Sequence, residues 1–277
     1  MLCLIAFGVA LYFFVSGPKS SDPIEYSAKN SDSNNGEYIY IAAGCSSCHV
    51  AEGSENKYLL AGGQKFETAF GTFRAPNISN SVEFGIGSWE FKDFYNALKL
   101  GQDPDGQHYF PAFPYTAYSK MKDKDIIDLW SFWKTLPSSE TPNEDHNLPF
   151  FFDLRRNIGV WKSLYMSDEF IKGDQDRGTY LVEALAHCTE CHTPRNFLGA
   201  LENAKWFEGA QDPSGKGRIP GITVQDLGWT KDEIVEYLSS GFTPDYDVAG
   251  GKMASVVELS LIHISEPTRP ERIAFSG

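Results

Sequence analysis

The chain has 277 residues, 42% of them apolar, which is enough for one large core or two of ordinary size. Its formal net charge of −13 argues against a nucleic-acid partner, because such partners are bound mainly through clustered Lys and Arg. Four of the five cysteines form two C-x-x-C pairs, each followed by His, and this arrangement is not a disulfide framework.

The N-terminus is apolar from Met1 to Val15 and then turns polar. Such a run predicts a membrane anchor or a signal segment over residues 1–16. No small-x-small cleavage pattern follows it, which favours an uncleaved anchor, and either interpretation exports the chain. Residues 17–35 are rich in Ser, Asp, Asn and Pro, and this composition predicts a flexible tether.

Two segments after the first C-x-x-C-H motif have helical periodicity. Residues 88–101 place apolar side chains on one helix face, with Gly101 as the stop. Residues 122–137 predict a second helix, with Asp123 as its N-cap and Pro137 closing it. The stretches between these helices are rich in Gly, Pro and Asn and show no sustained period-2 alternation. Loops of that length are hard to order unless they wrap a ligand.

The second half of the chain repeats the first. A Gly-x-Tyr pair leads into each C-x-x-C-H motif, and further along the two halves match at a constant offset of 140 residues. Residues 228–241 correspond to the first predicted helix, with Thr230 as the cap. Two homologous modules are the economical explanation. The matched positions are Trp89 and Trp229, Gly101 and Gly241, and Pro104-Asp105 and Pro244-Asp245.

C-x-x-C-H is the attachment signature of c-type haem, in which two thiols bind the vinyl groups and the His becomes the proximal iron ligand. A redox dithiol or half of a zinc site are the alternatives for a single motif. Two copies, each at the start of a repeated helical module, favour two covalently attached haems. The attachment residues are Cys45, Cys48, Cys188 and Cys191, and the proximal ligands are His49 and His192.

In an electron carrier the far side of each iron usually takes a further ligand, often a Met sulfur. Met253 follows two glycines in the second half and is the predicted ligand there. At the matching position of the first half stands Phe113, which cannot bind iron. Three outcomes remain open: Met121 coordinates from further along the loop, His108 coordinates instead, or the iron is five-coordinate beneath Phe113. Met121 is our preferred candidate.

Two arginines lie in the loops after the attachment motifs. Arg74 and Arg195 are candidates for pairing with haem propionates, and a solvated surface arginine is the alternative for each.

The C-terminal peptide LSLIHISEPTR, residues 259–269, resembles the translation of a transposase adapter used in sequencing libraries. We therefore interpret residues 259–277 as not biological and expect the natural C-terminal segment to be missing.

Several longer motifs resemble one known family. FGTFRAPNIS, PDGQHYFPAFPY, LPFFFDLR and RGTYLVEALAHCTECHTPRN are similar to the cytochrome c subunits of bacterial membrane-bound alcohol, aldose and gluconate dehydrogenases. The resemblance covers about residues 36–258. It implies an all-α fold of two tandem class I cytochrome c domains with long haem-wrapping loops, following the N-terminal anchor. The domains span residues 36–139 and 175–258, the second of them C-terminally truncated, and a connector spans residues 140–174.

The same resemblance implies a function. It points to a periplasmic carrier, anchored to the inner membrane, that relays electrons from the catalytic subunit of a dehydrogenase to quinone or a terminal acceptor. Family members of the alcohol and gluconate type carry three haem motifs and a Met at the position of Phe113, and this chain departs from them in both respects. An open first haem would instead suit a haem enzyme of the peroxidase or thiosulfate-oxidising type, and this is the alternative function.

Overall fold

The computed structural model describes residues 1–19, 21, 25–150, 154–171, 176–215 and 217–258, and the adapter-like peptide lies outside them. Twelve α-helices, two short antiparallel hairpins and a few 3₁₀ and π turns make up this part of the chain. The helices are α1 (Leu2–Val15), α2 (Ser33–Ala42), α3 (Cys45–His49), α4 (Phe91–Leu100), α5 (Tyr115–Tyr118), α6 (Asp123–Trp133), α7 (Arg155–Tyr165), α8 (Arg177–Tyr180), α9 (Thr189–His192), α10 (Val224–Leu227), α11 (Lys231–Ser240) and α12 (Gly251–Val256).

The helix boundaries follow local capping chemistry. A capping box of Glu90 and Asp93 starts α4, and one of Thr230 and Glu233 starts α11. Both helices end at a glycine in the left-handed conformation, as predicted. Helix α6 departs from prediction by one residue, because Lys122 is its cap and Asp123 lies in its first turn.

Helices α2 and α6 cross closely and enclose the main core. Gly36 makes this approach possible, because a Cβ there would lie 2.0 Å from the backbone oxygen of Asp128 in α6. The buried carboxylate of Asp128 accepts hydrogen bonds from the side chain of Asn35 (2.6 Å) and the backbone of Asp32 (2.7 Å). Apolar residues from α2, α4 and α6 fill the space beneath, including Ile39, Tyr40, Phe94, Leu98, Ile126, Leu129, Trp130 and Trp133.

The second half of the chain begins by packing on this core. Helix α8 continues into a π-helical turn, Leu181–Leu185, whose buried side chains join the core cluster of the first half. Tyr180 donates a hydrogen bond to Asp125 (2.6 Å) and accepts one from the backbone of Lys122 (3.1 Å), both close to the start of α6. The two halves are therefore joined by burial as well as by the connector.

The sequence repeat is also a structural repeat. The backbone nitrogen of Tyr109 donates to Gly101 at 2.8 Å, and Ala249, 140 residues later, donates to Gly241 at the same distance. These contacts close equivalent loops after α4 and α11. The predicted modular duplication thus extends to individual backbone hydrogen bonds.

The prediction of an all-α fold is wrong in one respect, because two small sheets are present. Strands β1 (Lys65–Thr68) and β2 (Gly71–Arg74) form one hairpin, and β3 (Ala210–Gln211) and β4 (Arg218–Ile219) form another. Strands of four and two residues are too short to produce a recognisable alternation in sequence.

The structure does not support the predicted N-terminal anchor. Helix α1 has 14 residues and extends about 21 Å at the usual rise, against a hydrocarbon thickness of roughly 30 Å. In the part of the chain that the structure describes, no helix is both long and apolar enough to cross a membrane. The end of α1 lies against α7, where Tyr12 donates a hydrogen bond to Asn157 at 2.9 Å and the Arg156 guanidinium covers the Phe13 ring at 4.8 Å.

Candidate functional site

The same two backbone contacts hold the histidine of each C-x-x-C-H motif, and we call this arrangement the backbone frame. In the first half, His49 Nδ1 lies 2.9 Å from the carbonyl oxygen of Pro76, and the backbone of Gly62 donates to the carbonyl of His49 at 2.7 Å. In the second half, His192 Nδ1 lies 2.8 Å from the carbonyl oxygen of Pro220, again with a glycine donating to the His carbonyl. The two frames therefore present their histidines in the same way.

This frame fixes the chemistry of both imidazoles. A carbonyl oxygen can only accept, so Nδ1 carries the proton and Nε2 keeps a free lone pair. Burial lowers the pKa of His49 to about 4 and lowers that of His192 as well. Both rings are thus neutral at neutral pH, the form that binds a metal through Nε2. The sequence shows matching Pro-x-Ile segments in the two halves, at residues 76–78 and 220–222. It does not show that their proline carbonyls accept hydrogen bonds from the histidines.

The thiols of the motifs are held in an unreactive form. Burial raises the pKa of Cys45 and of Cys188 to about 12, and it raises the pKa of Cys191 to about 11. Disulfide exchange uses the thiolate, which these pKa values disfavour at neutral pH. This weakens the redox-dithiol alternative for the two motifs.

The candidates for the far side of the first iron have different surroundings. Met121 is 1% exposed and belongs to the main core, directly before α6. Phe113 is half-buried, with its ring 5.7 Å from that of Tyr118. Both ring nitrogens of His108 are engaged, Nδ1 with the Lys162 ammonium at 3.2 Å and Nε2 with the carbonyl of Ser16 at 3.1 Å. His108 therefore has no nitrogen left for iron in this arrangement.

The remaining predicted site residues lie close to the two motifs or to the opposite half. Met253 is half-buried in α12, and its neighbour Lys252 reaches across to the Phe66 ring of the first half at 5.1 Å. Arg74 forms an ion pair with Glu144 at 2.7 Å. Arg195 forms an ion pair with Glu190 at 2.5 Å, inside the second motif. Each arginine is thus anchored by a carboxylate of the protein.

Among the buried polar groups that lack a hydrogen-bond partner in the described residues, two lie outside the attachment motifs but close to them: the indole nitrogen of Trp206 and the hydroxyl of Tyr115. An unsatisfied buried polar group costs about 1–3 kcal/mol. A bound group carrying carboxylates would supply the missing acceptors. No role for either residue follows from the sequence, although Tyr115 ends the motif PDGQHYFPAFPY.

The two attachment motifs lie next to each other. His187, directly before Cys188, lies against Gly44, directly before Cys45, with its Nε2 3.9 Å from the place where a Cβ of Gly44 would sit. Its ring meets that of Tyr118 edge to face at 5.6 Å. The contact could not be predicted from sequence, because it joins residues more than a hundred positions apart.

Comparison with known proteins agrees with this geometry. The Cytochrome c family matches residues 33–137. A diheme cytochrome c-type protein of Cereibacter sphaeroides is 44% identical over 263 residues, which cover 92% of this chain and 89% of the relative. The fructose dehydrogenase cytochrome subunit of Gluconobacter japonicus is 35% identical, covering 89% of this chain and 52% of the relative.

The gluconate 2-dehydrogenase cytochrome c subunit of Pantoea cypripedii is 32% identical, covering 83% of this chain and 56% of the relative. The chain thus spans about half the length of the two dehydrogenase subunits and most of the diheme protein. The match to the diheme protein extends over both halves and both attachment motifs. The chain therefore belongs to the cytochrome c family, whose cofactor is haem c, alongside the diheme c-type cytochromes and the cytochrome subunits of bacterial sugar and alcohol dehydrogenases.

Proposed function

We propose that the protein is a periplasmic dihaem electron carrier that takes electrons from the catalytic subunit of a dehydrogenase and passes them to quinone or a terminal acceptor. The observation that carries the proposal is the duplicated frame in which His49 and His192 each donate Nδ1–H to a proline carbonyl. The names of the relatives support a dehydrogenase partner. Membership in the c-type cytochromes supports a periplasmic location.

Two haems are proposed, one for each half of the chain. Bound haem supplies an iron that alternates between the ferrous and ferric states. The thiols of Cys45 and Cys48 would hold the first haem, and those of Cys188 and Cys191 the second. His49 and His192 would bind the irons through Nε2, and the proline carbonyls would keep both rings in the correct tautomer and orientation.

For the opposite ligands we propose Met253 in the second half and Met121 in the first. The engaged ring nitrogens of His108 leave Met121 and an open site beneath Phe113 as the remaining candidates for the first half. A buried sulfur ligand stabilises the ferrous state and raises the reduction potential.

Polar side chains near the motifs would serve the haem propionates. Trp206 and Tyr115 each have a buried donor without a partner in the described residues, and this observation supports the fit. Arg74 and Arg195 add positive charge, although each already pairs with a carboxylate of the protein. Donors that face a propionate neutralise its charge and hold the ring in place.

The proposed organisation is two tandem cytochrome c domains, residues 36–139 and 175–258, joined by a connector over residues 140–174. The equivalent loop-closing hydrogen bonds after α4 and α11 support equivalent modules. The packing of α8 and its π-helical turn on the first core supports a close association of the two domains.

Haem counting tests the proposed function. The chain is expressed in a host that matures c-type cytochromes, and haem is measured by the alkaline pyridine spectrum and by intact mass. We expect two covalent haems per chain, and one for the double variant Cys188→Ser and Cys191→Ser. A product without a haemochrome spectrum would reject the proposal.

Phe113 favours a second candidate function, because a phenyl ring at the ligand position would suit an open haem that binds a small substrate. Carbon monoxide distinguishes the two functions. A six-coordinate carrier binds it slowly in the reduced state, whereas an open first haem binds it rapidly and at one site per chain. Rapid binding to the unmodified protein would favour the haem enzyme.

A further inference from the structure

His187 occupies an unusual position between the two attachment motifs. Its φ of 40° lies in the left-handed region, which is uncommon for residues other than glycine, although Asn, Asp and His adopt it more often than the rest. Its Nε2 lies 3.9 Å from the place where a Cβ of Gly44 would sit, so the ring fits against the residue that precedes α3. Backbone strain of this kind persists only where the surrounding structure imposes it.

His187 and Tyr118 meet at the start of the first motif. The carbonyl of Ala43 accepts a hydrogen bond from Tyr118 at 2.7 Å, and the Tyr118 ring meets the imidazole of His187 edge to face at 5.6 Å. Ala43 lies two residues before the first attachment cysteine, and His187 lies one residue before that of the second half. Side-chain contacts therefore link the starts of the two motifs.

A second contact joins the first half of the chain to the second attachment motif. Thr116, in α5, donates a hydrogen bond to the Glu190 carboxylate at 2.5 Å. Glu190 stands inside the second motif, where Arg195 also holds it. The attachment helix of the second half is thus bonded to the segment that follows Phe113 in the first half.

We propose that His187 is a positioning residue that holds the two attachment motifs together so that the haems exchange electrons directly. This inference rests on the proposed function, because it requires both haems. The two bound haems would supply the one-electron exchange, in which one iron would be oxidised as the other is reduced, with no other reactant needed. His187 contributes by fixing geometry rather than by accepting the electron.

Variants at position 187 test the imidazole contacts and the backbone conformation together. His187→Leu removes the polar ring and disfavours the left-handed conformation, whereas His187→Asn keeps a polar side chain and tolerates that conformation. The control is Tyr246→Leu, which also replaces a left-handed residue of the second half (φ 62°) but one that is 94% exposed. Thr116→Val is the second variant, because it breaks the neighbouring contact without approaching an attachment cysteine.

The experiment uses the haem-loaded full chain. A laser flash reduces part of the population, and the relaxation of the electron between the haems is followed at wavelengths where their spectra differ. We expect His187→Leu to slow this relaxation at least about tenfold, because small misplacements of reacting groups have large effects on rate. We expect Thr116→Val to slow it less, and His187→Asn and Tyr246→Leu to stay within about twofold of the unmodified protein.

Limited proteolysis supplies a readout that does not depend on electron transfer. If the contact holds the halves together, trypsin should cut the connector of His187→Leu faster than that of Tyr246→Leu. Unchanged relaxation in both His187→Leu and Thr116→Val, with two haems present, would overturn the inference. A chain with fewer than two haems would instead count against the proposed function, so the two failures are distinguishable.

Discussion

At the residue scale, Met121 combines two roles that can be separated. Its side chain is 1% exposed, so removing it should destabilise the core whether or not the sulfur binds iron. Met121→Ala is expected to cost about 2–5 kcal/mol in free energy of unfolding. Met121→Leu keeps most of the volume and should cost less than about 1.5 kcal/mol. Only the loss of the sulfur is common to both variants.

Both Met121 variants are therefore expected to lose the sulfur-to-iron absorption of the first haem and to lower its reduction potential. Optical redox titration of the loaded protein measures both properties. Met166→Leu, in the connector, is the matched control and should leave both haems unchanged. A first-haem spectrum that survives Met121→Leu would reject the sulfur ligand and favour an open iron beneath Phe113.

Lys162 is a buried cation whose effect on the free energy of unfolding depends on pH. Burial lowers its pKa from 10.5 to about 7, and its ammonium donates to the carbonyls of Leu100 (2.7 Å) and Gly101 (2.6 Å). Between these pKa values the unfolded chain binds a proton that the folded chain releases. The free energy of unfolding should therefore rise with pH above about 7, and this group should have little effect on it below that value.

The expected rise from pH 7 to pH 9 is roughly 2–3 kcal/mol from this group alone. Lys162→Met should abolish that contribution, whereas the exposed Lys231→Met should keep it. Urea unfolding at the two pH values measures the difference. If the free energy of unfolding of Lys162→Met depended on pH as strongly as that of the unmodified chain, the contribution assigned to Lys162 would be contradicted.

At the element scale, two equivalent glycines have different surroundings. A Cβ at Gly36 would lie 2.0 Å from the Asp128 oxygen, whereas a Cβ at Gly178 would have only one Asp176 oxygen nearby, at 3.4 Å. Gly36→Ala is expected to cost about 1–3 kcal/mol through overpacking between α2 and α6. Gly178→Ala should be neutral or stabilise by up to about 1 kcal/mol, because alanine favours helix. Equal effects in urea unfolding would show that the helix crossing does not require a glycine at position 36.

The features that could be predicted from the sequence are those that depend only on residues adjacent along the chain. The glycine stops at Gly101 and Gly241 and the cap at Thr230 depend on neighbouring residues, and the structure has them as predicted. The hairpins were missed because their strands are too short for a pattern. The proximal histidines were recognisable from C-x-x-C-H, whereas their proline carbonyl partners and the His187 contact join distant segments that only the fold brings together.

At the scale of the whole molecule, charge is the property that a partner meets first. The net charge of −13 does not depend on the adapter-like peptide, because residues 259–277 contain two Glu and two Arg. An acidic carrier attracts a basic docking face over distances of about a Debye length, about 10 Å at 0.1 M salt and 3 Å at 1 M. The catalytic partner should therefore approach with positive charge.

Small redox reagents test this expectation without knowledge of the partner. Oxidation of the reduced protein by the cationic tris(phenanthroline)cobalt(III) complex should be fast at low salt and fall about tenfold or more towards 1 M salt, because salt screens the attraction. Oxidation by anionic ferricyanide should accelerate over the same range, and a neutral reagent should show little change. Opposite slopes would mean that electrons leave through an acidic surface. If all three reagents responded alike, the negative charge would lie away from the haems, and the partner would have to be recognised by shape and apolar contact instead.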